Sequence, residues 1–149
     1  MATGKEYSNI GAACIGEHGG GAIRLYESMT YGEVPLKLTE EQQAQAEKEC
    51  ADWFGHWTDL ETGTTTGYTS GVTMSMMIES IAKDGDLIIP CSTPLCDQMG
   101  YDSCAMGLPV KLGKGGVKEV IIPALTPERK EELNKVADKI SEMIAQAGY

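Results

Sequence analysis

The sequence predicts an α+β fold in which long helices pack on one mixed, largely antiparallel sheet. Three stretches have apolar residues at helical spacing, and several short apolar runs that end at glycine or proline have the character of strands. No internal repeat or low-complexity linker separates these segments. A chain of 149 residues fits one hydrophobic core, so we expect a single domain over residues 1–149.

The first predicted strand covers residues 12–15, an apolar run bounded by glycines that would present His18 in the loop at its end. The segment Gly16-Glu17-His18-Gly19 places an imidazole in a glycine-flanked turn, where backbone can approach a small ligand closely. A neutral imidazole can take a proton from a hydroxyl or return one to a carbonyl oxygen. His18 is therefore the best candidate for chemistry. The alternative is a turn histidine that is bonded to backbone.

Thr39 is predicted to begin the first long helix. Glu40, Glu41 and Gln42 follow it with the spacing of a capping box, and early acidic residues suit the positive end of the helix dipole. We expect this helix to run to about Trp57, before a stretch rich in threonine and glycine interrupts it. Three of its residues are expected to face the core: Ala44, Ala51 and Phe54.

A second helix is predicted over residues 68–83, where apolar residues at helical spacing fill two faces. We expect this helix to be buried on two sides. The side chains that would face the core are Val72, Met74, Met76, Met77, Ile78 and Ile81. The segment Asp84-Gly85-Asp86 then ends the helix.

Three strands are predicted in the second half of the chain. Residues 87–91 have the character of a central strand, and residues 104–111 and 117–122 form two more. The glycine-rich segment 113–116 suits a hairpin between the last two. Residues 92–102 are either a loop or a further short strand.

The last predicted element is a helix that begins at Thr126. Pro127 occupies its first position and Glu128 lies in its first turn, both of which favour a helix start. One apolar stripe follows at helical spacing: Leu133, Val136, Ile140, Met143 and Ile144.

Charge and hydropathy exclude two classes of partner. The chain has 22 acidic and 12 basic side chains and a formal net charge of −10, so a nucleic-acid backbone would be repelled. Its longest apolar runs are far too short to span a bilayer, and no apolar leader follows basic residues at the N-terminus. We expect a soluble, cytoplasmic protein.

Five cysteines are present, at positions 14, 50, 91, 96 and 104. Their odd number and the lack of a CxxC pair favour reduced thiols in an intracellular protein. The cluster Cys91, Cys96 and Cys104 is too irregularly spaced for a structural zinc site, and no histidine is near enough to complete it. No metal is therefore expected.

Four segments, taken in chain order, resemble the C-terminal catalytic half of the NAD-dependent malate and lactate dehydrogenases. They are Ile15-Gly16-Glu17-His18-Gly19, then Gly32-Glu33-Val34-Pro35-Leu36, then Gly67-Tyr68-Thr69-Ser70, and finally Gly107-Leu108-Pro109-Val110-Lys111-Leu112-Gly113 with Gly115-Gly116-Val117. The resemblance covers nearly the whole chain and implies the α+β fold of that domain, without a Rossmann domain.

The resemblance also implies a site. His18 matches the histidine that takes the proton of a 2-hydroxy acid while hydride passes to NAD. Thr69 would line the substrate pocket, and Thr73, one helical turn later, would face the nicotinamide. Each threonine has an alternative role, in which its hydroxyl bonds back to a carbonyl of the helix. Malate is favoured over lactate by the segment that begins at Gly107, whereas the segment that begins at Gly67 looks more like the lactate branch.

The resemblance places two further groups of the reaction before residue 1. These are the aspartate that orients the histidine and the arginine that clamps the substrate carboxylate. We therefore expect the chain to bind NAD and act only with a separate NAD-binding polypeptide, and to be inactive alone. The alternative is a non-catalytic interaction module derived from a dehydrogenase. Either function predicts self-association, since a domain separated from its neighbour exposes apolar surface.

Overall fold

The computed structural model describes residues 4–61, 63, 67–94 and 104–148. In these ranges the strands are β1 (Ile10–Gly11), β2 (Cys14–Gly16), β3 (Ala22–Arg24), β4 (Thr30–Tyr31), β5 (Val34–Pro35), β6 (Leu87–Pro94), β7 (Ala105–Gly113) and β8 (Gly116–Val120). The helices are α1 (Glu40–Asp59), α2 (Gly67–Ala82) and α3 (Pro127–Gln146).

All strand pairs among the described residues are antiparallel, which confirms the predicted α+β class. The chain divides into two compact units, one formed by Met1–Ala12 with Leu25–Met74 and the other by Ala13–Arg24 with Ser75–Tyr149. The single-domain organisation over residues 1–149 stays a prediction.

The first unit contains a small sheet of order β1-β4-β5 and the helix α1. The predicted capping box is confirmed, because the Thr39 hydroxyl accepts from the Gln42 N–H at 3.2 Å and the Gln42 side chain accepts from the Thr39 N–H at 3.0 Å. The expected burial of Ala44, Ala51 and Phe54 is wrong: all three are exposed, Phe54 by 58%. The helical spacing of apolar residues predicts only that one face of α1 can be buried. The described residues offer no surface that covers this face.

Helix α2 is also far less buried than the sequence predicts. Ser80 is its one buried residue, and three of the apolar residues expected to be buried are exposed by more than 60%: Val72, Met74 and Ile78. The prediction of burial on two sides is therefore wrong for the described chain. An all-round apolar helix indicates contact surfaces, and here much of that surface is open.

The second unit is built around β7. On one side of β7, the whole of β6 pairs with it. On the other side, β7 meets β2 at Gly107 and β8 from Val110 onward. Four alternate residues of β7 are buried: Met106, Leu108, Val110 and Leu112. The sequence predicted residues 87–91 as a central strand, but β6 lies at the sheet edge and Ile88 is 59% exposed. A continuous apolar run does not distinguish an edge strand from a central one, because both can have one buried face.

The remaining strand predictions have mixed outcomes. The predicted hairpin is confirmed, with β7 and β8 joined through Lys114 and Gly115. Ser92, Thr93 and Pro94 extend β6, and residues 95–103 lie outside the described residues, as does most of the segment 62–66.

Helix α3 begins where the sequence predicts. The Thr126 hydroxyl accepts from the Arg129 N–H at 3.3 Å, and Pro127 follows at the first helical position. Leu133 is fully buried and Ala137 is 1% exposed, whereas Met143 is 53% exposed, so the predicted stripe fails at that residue. None of the described helices is long and apolar enough to cross a bilayer.

The end of α2 is fastened to the sheet by polar contacts. The buried Ser80 hydroxyl donates to the Leu112 carbonyl oxygen at 3.0 Å and accepts from the Leu87 N–H at 3.3 Å. Asp84 follows the helix with φ 53°, and its carboxylate accepts from the Lys114 N–H at 2.9 Å and from Lys118 Nζ at 2.7 Å. The bond from the Lys114 N–H, and then the Lys118 ammonium, lower the pKa of Asp84 below its ordinary value.

Leu133→Ala is expected to reduce the free energy of unfolding by about 2–5 kcal/mol, since it removes a fully buried side chain and leaves a cavity. Chemical denaturation measures this loss. Met143→Ala, on the same helix but exposed, is the matched control and should cost less than about 1 kcal/mol. Equal losses in the two variants would show that α3 does not pack through Leu133.

Asp84→Asn is expected to destabilise the protein in a pH-dependent manner. Because the pKa of Asp84 is lowered in the folded protein, its carboxylate stabilises the fold fully above the ordinary pKa of 3.8. This stabilisation is lost as the pH falls through the pKa that Asp84 has in the folded protein. Denaturation curves of wild type and variant should thus differ at neutral pH and converge in acid. Lys118→Met should lose part of the same pH-dependent stability. A difference that stays constant with pH would contradict the assignment.

Candidate active site

His18 lies in a five-residue loop, residues 17–21, that joins β2 to β3. The hairpin register pairs Ile15 with Ile23 and Gly16 with Ala22, and both isoleucines are buried. The Ala22 N–H closes the loop by donating to the Gly19 carbonyl oxygen at 3.2 Å. Because the apolar pair fixes the hairpin in the core, the loop is held at the end of the sheet, as the sequence predicts.

Glycine is required at the point where β2 enters this loop. Gly16 has φ 92°, and a Cβ at this position would lie 2.7 Å from the Gly21 carbonyl oxygen. Residues other than glycine rarely adopt this backbone conformation, and here there is also no room for a side chain.

The His18 side chain is exposed and borders a cavity of about 560 Å³. The cavity is lined by residues of β2, β6 and β7, by the His18 loop and by Ile140 of α3. Gly16, Gly107 and Ser92 form one row across β2, β7 and β6, and all three residues line the cavity. The arrangement suits a small molecule that presents a hydroxyl or carbonyl group to His18.

The charge of the cavity lining limits what can bind there without help. Among the described residues that line it, Glu17 is charged, and neither arginine nor lysine is present. Arg129, on α3, pairs with Glu132 at 2.8 Å. An anionic substrate would therefore need a cation from outside this set of residues.

Two cysteines, Cys14 and Cys91, also line the cavity. Neither is in a disulfide, and burial raises the pKa of the Cys91 thiol, which keeps it protonated near neutral pH. Cys104 is buried and burial raises its pKa as well. In the part of the chain that the structure describes, no three potential metal ligands come together; Cys96 lies outside that part.

Thr69 and Thr73 both lie on α2 and are exposed. The Thr73 hydroxyl donates to the Thr69 carbonyl oxygen at 3.1 Å, which is the bond that the alternative role of Thr73 requires. This bond occupies the donor and leaves the oxygen able to accept. The two threonines belong to the first unit and His18 to the second, so the joint site of all three stays a prediction.

A contact that the sequence does not reveal joins the His18 loop to α3. Glu17 Oε2 lies 2.8 Å from Lys139 Nζ, across 122 residues of chain. No local pattern marks either residue as a partner of the other, and only the folded arrangement brings them together.

Gly16→Ala is expected to destabilise the protein by about 1–3 kcal/mol and to disturb the loop, because a side chain there is strained and collides with Gly21. Gly20→Ala is the matched control, since a Cβ at position 20 meets no atom within 4 Å. Thermal unfolding and the NMR signal of the His18 ring compare the two variants. Similar behaviour of both would contradict the assigned role of Gly16.

Comparison with known proteins identifies the family. Residues 2–148 match the family model described as lactate/malate dehydrogenase, alpha/beta C-terminal domain. The malate dehydrogenase of Nitratiruptor sp. is 33% identical over 136 residues, which is 91% of this chain and 43% of that protein. The enzyme of the same name from Pelodictyon phaeoclathratiforme is 33% identical over 137 residues, which is 90% of this chain and 44% of that protein.

Solved structures agree with these matches. The structure of Cryptosporidium parvum malate dehydrogenase has a TM-score of 0.85 and 27% identity, covering 97% of this chain and 48% of its own. That of Salinibacter ruber malate dehydrogenase has a TM-score of 0.81 and 30% identity, covering 95% and 47%. The chain thus spans less than half the length of these relatives. It belongs to the lactate/malate dehydrogenase family and corresponds to the C-terminal domain of that family.

Proposed function

We propose that this chain is the catalytic and substrate-binding half of a malate dehydrogenase-type oxidoreductase that interconverts a 2-hydroxy acid and a 2-keto acid. The observation that carries the proposal is the exposed His18 in its glycine-sided loop, beside a cavity large enough for a small organic acid. The match of residues 2–148 to the C-terminal domain of lactate/malate dehydrogenases supports a dehydrogenase reaction.

In this proposal His18 handles one proton. During oxidation a neutral ring nitrogen takes the proton of the substrate hydroxyl, and during reduction the protonated ring returns it to the carbonyl oxygen. NAD, when bound, would supply the acceptor for the hydride that leaves the carbon carrying the hydroxyl. Gly16, Gly107 and Ser92 line the same cavity as His18, and Thr69 would line the substrate pocket.

We propose that NAD contacts the described part of this chain through its nicotinamide. Thr73 is exposed, and its hydroxyl oxygen can still accept a hydrogen bond, which fits contact with the nicotinamide. The glycine-rich run at 113–116 joins two strands of a hairpin and does not open a helix, so it is no cradle for the cofactor phosphates. We propose that a nucleotide-binding part, whether on the same polypeptide or another, holds the rest of the cofactor.

The same part would supply two further groups. A carboxylate would orient the imidazole and an arginine would bind the substrate carboxylate in a bidentate manner. The lack of lysine and arginine in the described cavity lining supports the need for that arginine. Malate is the proposed substrate over lactate, because the relatives reported above are named malate dehydrogenases.

A second candidate function is a non-catalytic assembly module. The exposed apolar side chains of α2, with Val72, Met74 and Ile78 each more than 60% exposed, favour an interaction surface. We propose self-association under either function. The described cysteines form no disulfide, which also suits the reducing cytoplasm, where we propose that the protein acts.

The test joins the nucleotide-binding half of a relative, such as the Nitratiruptor enzyme, to residues 1–149 and follows NADH formation with malate. His18→Ala is expected to lower kcat/KM by about 100- to 10,000-fold, because the proton acceptor is removed. His56→Ala, which changes an exposed histidine of α1, is the matched control and should leave the rate unchanged. An unchanged rate in His18→Ala would refute the assignment of His18 as the proton-transferring residue, and stable complexes without any turnover in the unmutated protein would favour the module.

A further inference from the structure

We propose that Lys139 is a positioning residue for His18, acting through its ion pair with Glu17. This inference rests on the proposed function, since it assigns His18 a reaction in which its orientation matters. Glu17 directly precedes His18, so a contact that fixes Glu17 also fixes the backbone from which the imidazole projects. We call the ion pair between Glu17 and Lys139 the loop strap.

The loop strap is a long-range contact between two parts of the second unit. Its two charged atoms, Glu17 Oε2 and Lys139 Nζ, are 2.8 Å apart. The side chain of Glu17 is 24% exposed and that of Lys139 is 54% exposed, so the carboxylate is partly withdrawn from solvent while the ammonium reaches it from outside. This geometry ties the loop to a helix that is itself anchored by the buried Leu133 and Ala137.

The loop is shaped to let the Glu17 side chain follow this path. A Cβ at Gly21 would lie 2.6 Å from Glu17 Oε2, 3.0 Å from Glu17 Cβ and 3.3 Å from a methyl group of Val136. The side chain of Glu17 therefore crosses the loop over Gly21, next to α3. Val136 and Lys139 are three positions apart on α3 and lie on the same face of the helix. One face of α3 thus brings Val136 near Gly21 and Lys139 into an ion pair with Glu17.

The loop needs such a restraint because its own sequence does little to fix its backbone conformation. Three of its five residues are glycines, at positions 19, 20 and 21, and glycine leaves the backbone free to adopt many conformations. Its backbone bond, from the Ala22 N–H to the Gly19 carbonyl oxygen, lies after His18. The loop strap acts before His18, so the two contacts hold the histidine from both sides. A displacement of about 1 Å at a reacting group can lower a rate by roughly 100-fold.

Another lysine on the same helix offers a matched control. Lys135 pairs with Glu131 at 2.9 Å, one helical turn away, with side-chain exposures of 71% and 69%. This pair lies within α3 and is exposed. Replacing Lys135 therefore removes one lysine charge, as replacing Lys139 does, but leaves the contact between the loop and α3 in place. Lys135→Met and Lys139→Met therefore differ mainly in the loop strap.

The kinetic test uses the joined enzyme described above. Lys139→Met is expected to lower kcat by roughly 10-fold with KM changed by less than about 2-fold, because orientation for proton transfer is lost and substrate contacts are kept. Lys139→Arg should keep most of the rate, since it preserves the charge. The charge-reversed pair Glu17→Lys with Lys139→Glu should recover part of what each single change loses. Lys135→Met should match wild type.

A second readout needs no turnover. The 149-residue chain has two histidines, so the ring signals of His18 can be assigned in NMR spectra by comparison with His18→Gln. Lys139→Met should shift or broaden the His18 ring signal, whereas Lys135→Met should leave it in place. The His56 signal reports whether a change is general.

The outcomes separate the two proposals. An unmoved His18 signal in Lys139→Met overturns the positioning role, and so does a kcat equal to that of Lys135→Met in an enzyme that depends on His18. A shifted His18 signal with normal kcat also overturns it, because the loop strap would then shape the loop without aiding the reaction. A shifted signal in a protein with no turnover in any form supports the loop strap and refutes the proposed function.

Discussion

The structure of the candidate site depends on the alternation of β7, which buries every second residue and pairs on both sides. Met106, Leu108, Val110 and Leu112 form the buried series, and the intervening Gly107 meets Gly16 of the hairpin that carries His18. A shift of the register by one residue would move the buried series to the other face. The same strand therefore fixes the core and the position of the hairpin that carries His18. The position of the site thus follows from the burial pattern of β7.

The parts of the fold that the sequence predicts well are those set by neighbouring residues. Thr39 with Gln42 caps α1, Thr126 with Pro127 begins α3, and the glycine pair at 115 and 116 ends the last hairpin loop. Each depends on hydrogen bonds or backbone angles within a few positions, so the relevant information is local. The placement of His18 at the end of β2 follows from the same kind of evidence.

The parts that sequence analysis misses depend on residues far away in the chain. Phe54 and Val72 are apolar and at helical spacing, yet they are exposed because the described residues offer no surface that covers them. β6 has the composition of a central strand but lies at an edge, since the pairing of strands is decided by the whole sheet. The Glu17–Lys139 contact spans 122 residues and has no local signature. The two threonines stay predictions because they and His18 lie in different units.

In the proposed reaction His18 faces the reacting group of a 2-keto or 2-hydroxy acid. The most direct test of this position measures how fast a histidine-selective acylating reagent modifies each histidine of the joined enzyme, read by mass spectrometry, with and without NAD and an unreactive keto-acid analogue. If His18 has this position, the bound ligands protect it while His56 reacts at an unchanged rate. Modification of His18 at the same rate in both conditions, in enzyme shown to bind the ligands, would contradict it.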